Sequence, residues 1–415
     1  MLRLLHTSDW HLGHVLRDFG RELEHDHFLS WLLSTLVERD VDALLIAGDV
    51  FDNANPSADA QRRFFGFLAE ARRRLPALQF VVIAGNHDSG ARIDAPEPVL
   101  TSLGMHVVGA LPPLEKEGWQ GRVLLPLKAR SGEVAAWVAA VPFLRASDLP
   151  AQAAEAGDAL IESVRQVYTR VLDACRERRK PGQAMVALGH LYMVGTALSG
   201  VSERKILGGN QHALPHDLFP EDVAYVALGH LHKAQQVGRN GVRYCGSPFC
   251  LDFSEAPYAH QVCVVELEGE ALKSVECVPV PRLVPMLRIP DTGHLPLSEL
   301  LKRLEGLPRL EAASQTSPRP FLEVYVSLDG PEPSLHEKIH QEMEGCLARL
   351  LRINIRESGV MGALGDGEGT VDLQDLQPQE VFGRLHLREH GTEASAPLLA
   401  AFHELLETTK QEAGA

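Results

Sequence analysis

Seven side chains able to ligate a metal fall within five short motifs. The motifs are Asp9-Trp10-His11, Gly48-Asp49-Val50-Phe51-Asp52, Gly85-Asn86-His87-Asp88, Gly189-His190 and Gly229-His230-Leu231-His232. The candidate ligands are Asp9, His11, Asp49, Asn86, His190, His230 and His232. Imidazole nitrogens mixed with carboxylate oxygens fit Mn2+, with Fe, Zn and Mg as alternatives, and the residue types do not choose among them. Asn86 would bind through a neutral carbonyl oxygen, which adds no negative charge near a phosphodiester. Two such ions ~3.5–4 Å apart activate water and polarise phosphoryl oxygens, the chemistry of in-line phosphoester hydrolysis. His87 follows Asn86 directly without being a ligand itself, so it is the candidate to stabilise or protonate the leaving oxygen. Asp88 either holds the His87 ring through a hydrogen bond, setting its tautomer, or caps a turn. His6 reads as a core histidine or a support to a ligand, and His14 as a candidate substrate contact. Asp52 reads as a carboxylate that orients a ligand from behind. His25, His27, His212 and His216 have no such spacing and are expected on the surface.

Most of these motifs follow an apolar, β-branched run. Leu44-Leu45-Ile46-Ala47 leads into Gly48, and Phe80-Val81-Val82-Ile83-Ala84 into Gly85. Met185-Val186-Ala187-Leu188 leads into Gly189, and Val223-Ala224-Tyr225-Val226-Ala227-Leu228 into Gly229. Such runs predict buried strands, each ending in a glycine that lets the backbone turn and approach a ligand. Strand ends of this kind can converge on one point. Strands are predicted near 2–8, 42–47, 78–84, 105–109, 122–128 and 135–141, then before His190, and at 242–245, 261–267 and 272–278. Helices are predicted near 21–39, 57–74 and 158–179. The first carries an apolar stripe of Phe28, Trp31, Leu32, Leu36 and Val37. The expected architecture is α/β, a β-sandwich flanked by helices with the site at strand ends.

In this order, the motifs resemble those of the calcineurin-like metallophosphoesterase superfamily. The strings Leu5-His6-Thr7-Ser8-Asp9-Trp10-His11-Leu12-Gly13, Ala227-Leu228-Gly229-His230-Leu231-His232 and Tyr244-Cys245-Gly246-Ser247-Pro248 narrow the resemblance to the bacterial SbcD family of nuclease subunits. It runs from Met1 to about Pro281. It implies a double-strand-break repair nuclease: a 3′-to-5′ exonuclease on double-stranded DNA ends and an endonuclease on hairpins and single strands. It implies two Mn2+ ions bridged by Asp49, with Asp9, His11 and His232 completing one shell and Asn86, His190 and His230 the other. As partners it implies an SMC/ABC-type ATPase subunit of the SbcC kind, DNA ends and hairpins, and a homodimer within a heterotetramer. The helix at 57–74 and the loop at 89–100 are candidate dimer contacts. Archaeal and eukaryotic relatives tend to carry histidine where this chain has Asp52, so the role of that histidine does not transfer.

The chain has 415 residues, enough for two or three domains. Pro279, Pro281 and Pro285 mark a boundary. The expected division is 1–282 for the phosphoesterase domain and 283–357 for a small α+β domain. A flexible Gly-rich, acidic linker at 358–376 and a C-terminal helical pair at 377–415 complete it. Within 283–357 the pattern predicts strand 286–289, helix 296–304, strand 320–327, helix 333–351 and strand 352–356. The resemblance gives this domain the role of capping the site and orienting DNA. In the tail, Leu398, Leu399, Phe402, Leu405 and Leu406 form one apolar stripe, and Val381, Phe382 and Leu385 suggest a second.

Composition bounds the reading. The formal net charge is −15, which opposes a general DNA-binding surface because phosphate contacts dominate such affinity. A metal pair and a partner subunit would offset it. The basic clusters Arg62-Arg63, Arg72-Arg73-Arg74 and Arg176 to Lys180 are expected to be solvated helix faces. Six cysteines without a Cys-x-x-Cys pair are expected to be reduced thiols. With no leader-like N-terminus and no long apolar run, the expected location is cytoplasmic and nucleoid-associated, away from membranes. The sequence contains no phosphate-binding Gly-x-x-x-x-Gly-Lys-Ser/Thr string, so ATP hydrolysis falls to a partner. Two other functions share parts of this pattern. One is a phosphoesterase for small cyclic nucleotides or phosphoproteins, which the extra 280–415 region disfavours. The other is a scaffold with a spent metal site, which the full ligand set with His87 disfavours.

Overall fold

The computed structural model describes residues 1–149, 157–193, 196, 214–310, 318–357, 382, 385, 386, 398 and 402. The chain divides into two compact units, Met1–Arg282 and Leu283–Ala415. The linker expected at 358–376, and the helices expected at 377–415 apart from the few tail residues named above, lie outside the described residues.

The first unit opens with β1 (Leu2–Thr7), the short hairpin β2 (Val15–Leu16) and β3 (Phe19–Gly20), and α1 (Glu22–Glu38). Then follow β4 (Ala43–Ala47), α2 (Ala58–Arg74), β5 (Gln79–Ile83), α3 (Gly90–Asp94), α4 (Glu97–Ser102) and β6 (Met105–Val108). The segment expected as a strand from 122 starts with a helical turn, α5 (Gln120–Val123), and becomes β7 only at Leu124–Lys128. After β8 (Val134–Ala140) and α6 (Gly157–Arg178) come β9 (Ala184–His190), β10 (Tyr225–Gly229) and β11 (Gln235–Val237). β12 (Arg239–Tyr244), β13 (Gln261–Glu268) and β14 (Ala271–Pro279) complete the unit.

These strands form two six-stranded sheets, ordered β14-β13-β1-β4-β5-β6 and β11-β12-β10-β9-β8-β7. The central pairs are parallel, so their C-terminal ends lie along one side of each sheet. The reason for the continuous apolar runs is visible in β4. Ala43 and Leu45 join the core cluster that holds residues of both sheets, including Val186, Leu188, Val226 and Leu228. Leu44 and Ile46 join the cluster under α1 and α2, with Phe28, Leu32, Phe64 and Phe67. A strand buried on both faces cannot alternate polar and apolar residues. The result is a sandwich with helices outside, as the pattern predicts.

The second unit contains β15 (Met286–Ile289), β16 (Leu295–Pro296), α7 (Leu297–Glu305), β17 (Phe321–Leu328), α8 (Leu335–Met343) and β18 (Arg349–Glu357). β17 pairs in parallel with the other three strands. Its alternate residues Leu322, Val324, Val326 and Leu328 share a core with Leu300 and Leu304 of α7 and Leu335 and Ile339 of α8. The helix expected over 333–351 is shorter than its apolar pattern implied. Glu344 leaves it with extended backbone (φ −60°, ψ 127°) and Gly345 turns at φ +69°. Pairing with β17 then claims the chain from Arg349.

Candidate active site

The sandwich brings strand ends from both sheets to one place. The loops after β1, β4 and β5 carry Asp9, His11, Asp49, Asn86 and His87, while β9 ends in His190 and His230 follows β10. Sheet-to-sheet hydrogen bonds hold the two sets in register. His190 Nδ1 donates to Ala47 O at 2.8 Å, and Phe143 N donates to Ala84 O at 2.9 Å. Deeper in, His6 bridges the sheets through Tyr225 OH at 2.9 Å and Leu228 O at 3.2 Å. Burial lowers the His6 pKa to about 3, so it is a neutral core histidine.

The motif glycines are positions of close approach. A Cβ on Gly85 would sit 2.1 Å from Asp49 Oδ1, and one on Gly229 would sit 1.9 Å from Ala47 O. The ligands themselves are bent. Six non-glycine described residues have positive φ, and Asp9 (54°), His11 (45°), Asp49 (48°) and His230 (102°) are four of them. Such conformations cost of order 1–3 kcal/mol each and persist where the surroundings over-determine them.

The side chains converge. Asp9, His11 and His232 form one group whose ligand atoms lie within 4.8 Å of one another, and Asp9, Asp49 and His190 form another. Asn86 Oδ1 lies 2.9 Å from His190 Nε2 and 3.0 Å from His230 Nδ1. Asp49 Oδ2 lies 3.3 Å from His190 Nε2 and 3.6 Å from His11 Nε2, so it faces both sets. All seven sequence-predicted ligands are therefore together.

Their electrostatics divide. Burial disfavours the charged form of His190, yet the Asp49 carboxylate outweighs it and raises the pKa to about 9. His230 is pushed down to about 3 by burial and by the neighbouring His190. Burial opposes ionisation of Asp49, but the facing histidines hold its pKa well below the usual carboxylate range. The Asp49 carboxylate thus favours positive charge at the His190 side of the centre.

Several ligands are fixed from behind, a common feature of metal-binding histidines. Asp52 Oδ1 lies 3.3 Å from His11 Nδ1 and 2.9 Å from His14 Nδ1. His14 Nε2 is bonded in turn to Leu251 O at 3.0 Å, so its ring is tied to the protein on both sides. His232 Nδ1 meets Glu255 Oε1 at 2.7 Å, and both groups are buried. The opposite nitrogen of His11, Nε2, is buried without a hydrogen-bond partner. An orphaned, inward-facing imidazole nitrogen among carboxylates fits a metal ligand, and the donor set as a whole fits divalent ions.

His87 is half-buried, its ring 4.7 Å from that of His11. Its Nδ1 donates to the backbone carbonyl of Asp52 at 2.8 Å, which leaves Nε2 as the other functional atom. Asp88 does not hold this ring. Its carboxylate accepts three backbone N–H groups, from Gly85 (2.9 Å), Val50 (3.1 Å) and Phe51 (2.9 Å). It therefore clips the second motif to the third, the turn-capping alternative. Burial and the Asp49 carboxylate raise its pKa to about 6.

Two participants escaped the sequence reading. Glu255 sits on a 3-10 turn 23 residues beyond His232 and belongs to no motif. Arg145 donates from Nη2 to Asp88 O at 2.7 Å, which puts a guanidinium beside the third motif. His25, expected on the surface, is buried on α1 against Phe249, with ring centroids 5.1 Å apart, because it falls on the inner face of that helix. Its pKa is lowered to about 3, chiefly by burial. His27 is half-buried, and His212 lies outside the described residues. In the Tyr244–Pro248 turn, Gly246 has φ +80° and Cys245 Sγ lies 3.1 Å from Ser8 Oγ, beside Asp9. Many arginines of the basic clusters pair with nearby acids: Arg62 with Asp59, Arg73 and Arg74 with Glu70, and Arg176 and Arg179 with Asp222.

The sequence matches a known family. The model described as calcineurin-like phosphoesterase matches residues 2–234. The curated SbcD subunit of the SbcCD nuclease of Rhodobacter capsulatus is 40% identical over 366 residues, covering 85% of this chain and 87% of the relative. The chain belongs to the SbcD family of calcineurin-like phosphoesterases. The SbcD subunit of the Escherichia coli SbcCD nuclease is 32% identical over 390 residues, covering 92% of each chain. The Bacillus subtilis protein of the same name is 33% identical over 276 residues, covering 64% of this chain and 66% of the relative. A second family model, described as type 5 capsule protein repressor C-terminal domain, matches residues 282–390. No helix among the described residues is long and apolar enough to cross a membrane.

Proposed function

We propose that this chain is the metal-dependent nuclease subunit of a two-component DNA repair complex. It hydrolyses DNA phosphodiesters, as a 3′-to-5′ exonuclease on double-stranded ends and as an endonuclease on hairpins and single strands. The observation that carries this reading is the convergence of seven ligand side chains on one centre with His87 alongside. The kinship to SbcD subunits of SbcCD nucleases supports the choice of DNA as substrate.

Asp9, His11 and His232 would hold one ion and Asn86, His190 and His230 the other, with Asp49 shared, and Mn2+ is the proposed metal. When bound, the ions supply Lewis-acid polarisation of the phosphoryl oxygens and lower the pKa of the attacking water. The protein's own residues do the rest. Asp52 and Glu255 orient the His11 and His232 rings from behind. The Asp52 carbonyl takes the Nδ1–H of His87, so Nε2 faces the site and, in the imidazolium form of the ring, would deliver its proton to the leaving oxygen. Asp88 fixes the loops that carry Asp49 and His87. For the second unit we propose the role that the resemblance implies, orienting DNA. The partner is an ATPase of the SMC/ABC type, the assembly contains two copies of this chain, and it works in the cytoplasm at the nucleoid.

The test is cleavage by the full chain with Mn2+ of a labelled DNA hairpin, beside a small phosphodiester, a cyclic nucleotide and a phosphopeptide. Metal-dependent hairpin nicking and stepwise loss of a 3′ label are expected. Turnover of the small substrates with the hairpin intact would instead establish a small-molecule phosphoesterase.

A further inference from the structure

Away from the catalytic centre, two cysteines face each other across the last strand pair of the first sheet. Cys263 on β13 and Cys277 on β14 are direct antiparallel partners, between the pairs Val262↔Val278 and Val264↔Glu276. Facing residues in such a pair have Cα atoms ~4.5–5.5 Å apart. That lies within the ~4.4–6.8 Å range that a disulfide spans. The Cα spacing of a facing pair therefore permits a cystine here.

The two thiols differ in access. Cys263 is fully buried, whereas Cys277, on the edge strand β14, is exposed and is the one exposed cysteine of the six. Arg243 of the second sheet donates from Nη1 to the Cys277 sulfur at 3.8 Å. The Cys277 pKa falls to about 6, with the facing Cys263 thiol the largest cause and Arg243 contributing. Cys175 and Cys250 move the other way, up to about 12, through burial. Reactivity toward oxidants follows thiolate character and exposure. Cys277 has both, with a second thiol directly across the strand pair.

We propose that Cys277 and Cys263 form a peroxide-reactive pair that closes into a cross-strand disulfide. The Cys277 thiolate attacks one oxygen of a hydroperoxide. The O–O bond breaks, Cys277 becomes a sulfenic acid, and the departing hydroxide takes up the proton that Cys277 had released. The Cys263 sulfur then attacks the Cys277 sulfur. The S–S bond forms, the S–O bond breaks, and the Cys263 proton leaves with the hydroxyl as water. Two thiols supply two electrons, and one hydrogen peroxide becomes two waters. This inference does not depend on the substrate of the metal centre.

The experiment treats the reduced full chain with a few equivalents of hydrogen peroxide, blocks remaining thiols with an alkylating reagent, and maps peptides by mass spectrometry. Wild type should lose two of its six thiols, show a single 263–277 linked peptide, and regain both thiols with dithiothreitol. Cys263→Ser should give a dimedone-trappable sulfenic acid at Cys277 and no internal link. Cys277→Ser should consume peroxide about tenfold more slowly, since the exposed thiolate is gone. Six alkylatable thiols after treatment, a link between other cysteines, or oxidation of Cys277→Ser at the wild-type rate would each overturn the proposal. Circular dichroism of both variants distinguishes lost chemistry from lost folding. A variant that proves unfolded is replaced by Cys277→Ala or Cys263→Ala, judged by the same readouts.

Discussion

His87 sits against the cluster with one ring nitrogen committed to the Asp52 carbonyl. His87 also forms a close group with His11 and Asp52, their ligand atoms within 4.8 Å of one another, but the polar atoms of the proposed ligands crowd on Asp49 and Asn86, and we assign His87 the acid role beside them. His87→Ala is therefore expected to keep both metals and lose ~10²–10⁴-fold in hairpin cleavage, the usual contribution of a general acid. Elemental analysis beside the cleavage assay checks this, and loss of metal along with activity would make His87 a ligand. Glu255 acts one residue further back. Its carboxylate holds His232 Nδ1 at 2.7 Å, and its other oxygen accepts Leu251 N at 2.8 Å. A buried carboxylate in this place raises the basicity of its imidazole. Glu255→Gln keeps the shape and removes the charge, and should weaken metal binding by ~10–100-fold. Titration calorimetry with Mn2+ reads this directly, and unchanged affinity would leave Glu255 a purely structural residue. The clustering of the proposed ligands and His87 was legible in the sequence because each lies within four residues of a strand end. Glu255 was not, since its link to His232 is made by folding and leaves no local pattern. The choice for Asp88 has the same origin: adjacency to His87 left a ring contact open, and three backbone N–H groups take its carboxylate instead.

Strand ends act here as positioning devices, and their glycines set how closely two sheets approach. Gly229 lies where β10 passes the end of β4, and an added Cβ would meet Ala47 O at 1.9 Å and His190 Nδ1 at 2.8 Å. Those two atoms make the hydrogen bond that fixes His190. Gly229→Ala should thus break the sheet-to-sheet link and mis-aim a ligand, destabilising the fold by about 1–3 kcal/mol and lowering bound metal. Thermal melting and metal content test this together, and a variant with wild-type values for both would show that the sheets can part at no cost. Most strands of the first unit could be read from the chain because double-sided burial demands continuous apolar runs. Boundaries were harder where an apolar pattern suits two states. Cys346 and Ala348 are buried in the same core as α8, so a helix through 351 satisfied the pattern, and only pairing with β17 decides for strand. The positive φ angles at Asp9, His11, Asp49 and His230 were invisible too, since none of these residue types demands that conformation.

At the scale of the whole chain, charge is the unresolved tension. The net charge is −15, and the most conspicuous arginine clusters are largely matched by neighbouring carboxylates. Affinity for DNA rests mainly on phosphate contacts, so a nuclease of this composition gains from a partner that supplies basic surface. The tail is the proposed link to it. Its apolar stripes, Leu398-Leu399-Phe402-Leu405-Leu406 and Val381-Phe382-Leu385, lie in a segment that the sequence joins to the rest through a Gly-rich stretch. Among its described residues, the rings of Phe382 and Phe402 stack at 4.2 Å, while Leu385 and Leu398 are exposed. Among the described residues, Phe382 and Phe402 thus meet while Leu385 and Leu398 stay uncovered. A helical pair of this size buries too little surface alone, and helix-in-groove docking is the expected mode of covering the remainder. Deleting 377–415 should abolish co-purification with the ATPase partner. The same truncation should leave Mn2+-dependent cleavage of small phosphodiesters near the full-length level, because all seven proposed ligands and His87 lie in the first unit. Tight partner binding by the truncated chain would move the docking element elsewhere. Loss of small-substrate turnover would mean instead that the tail supports the catalytic unit itself.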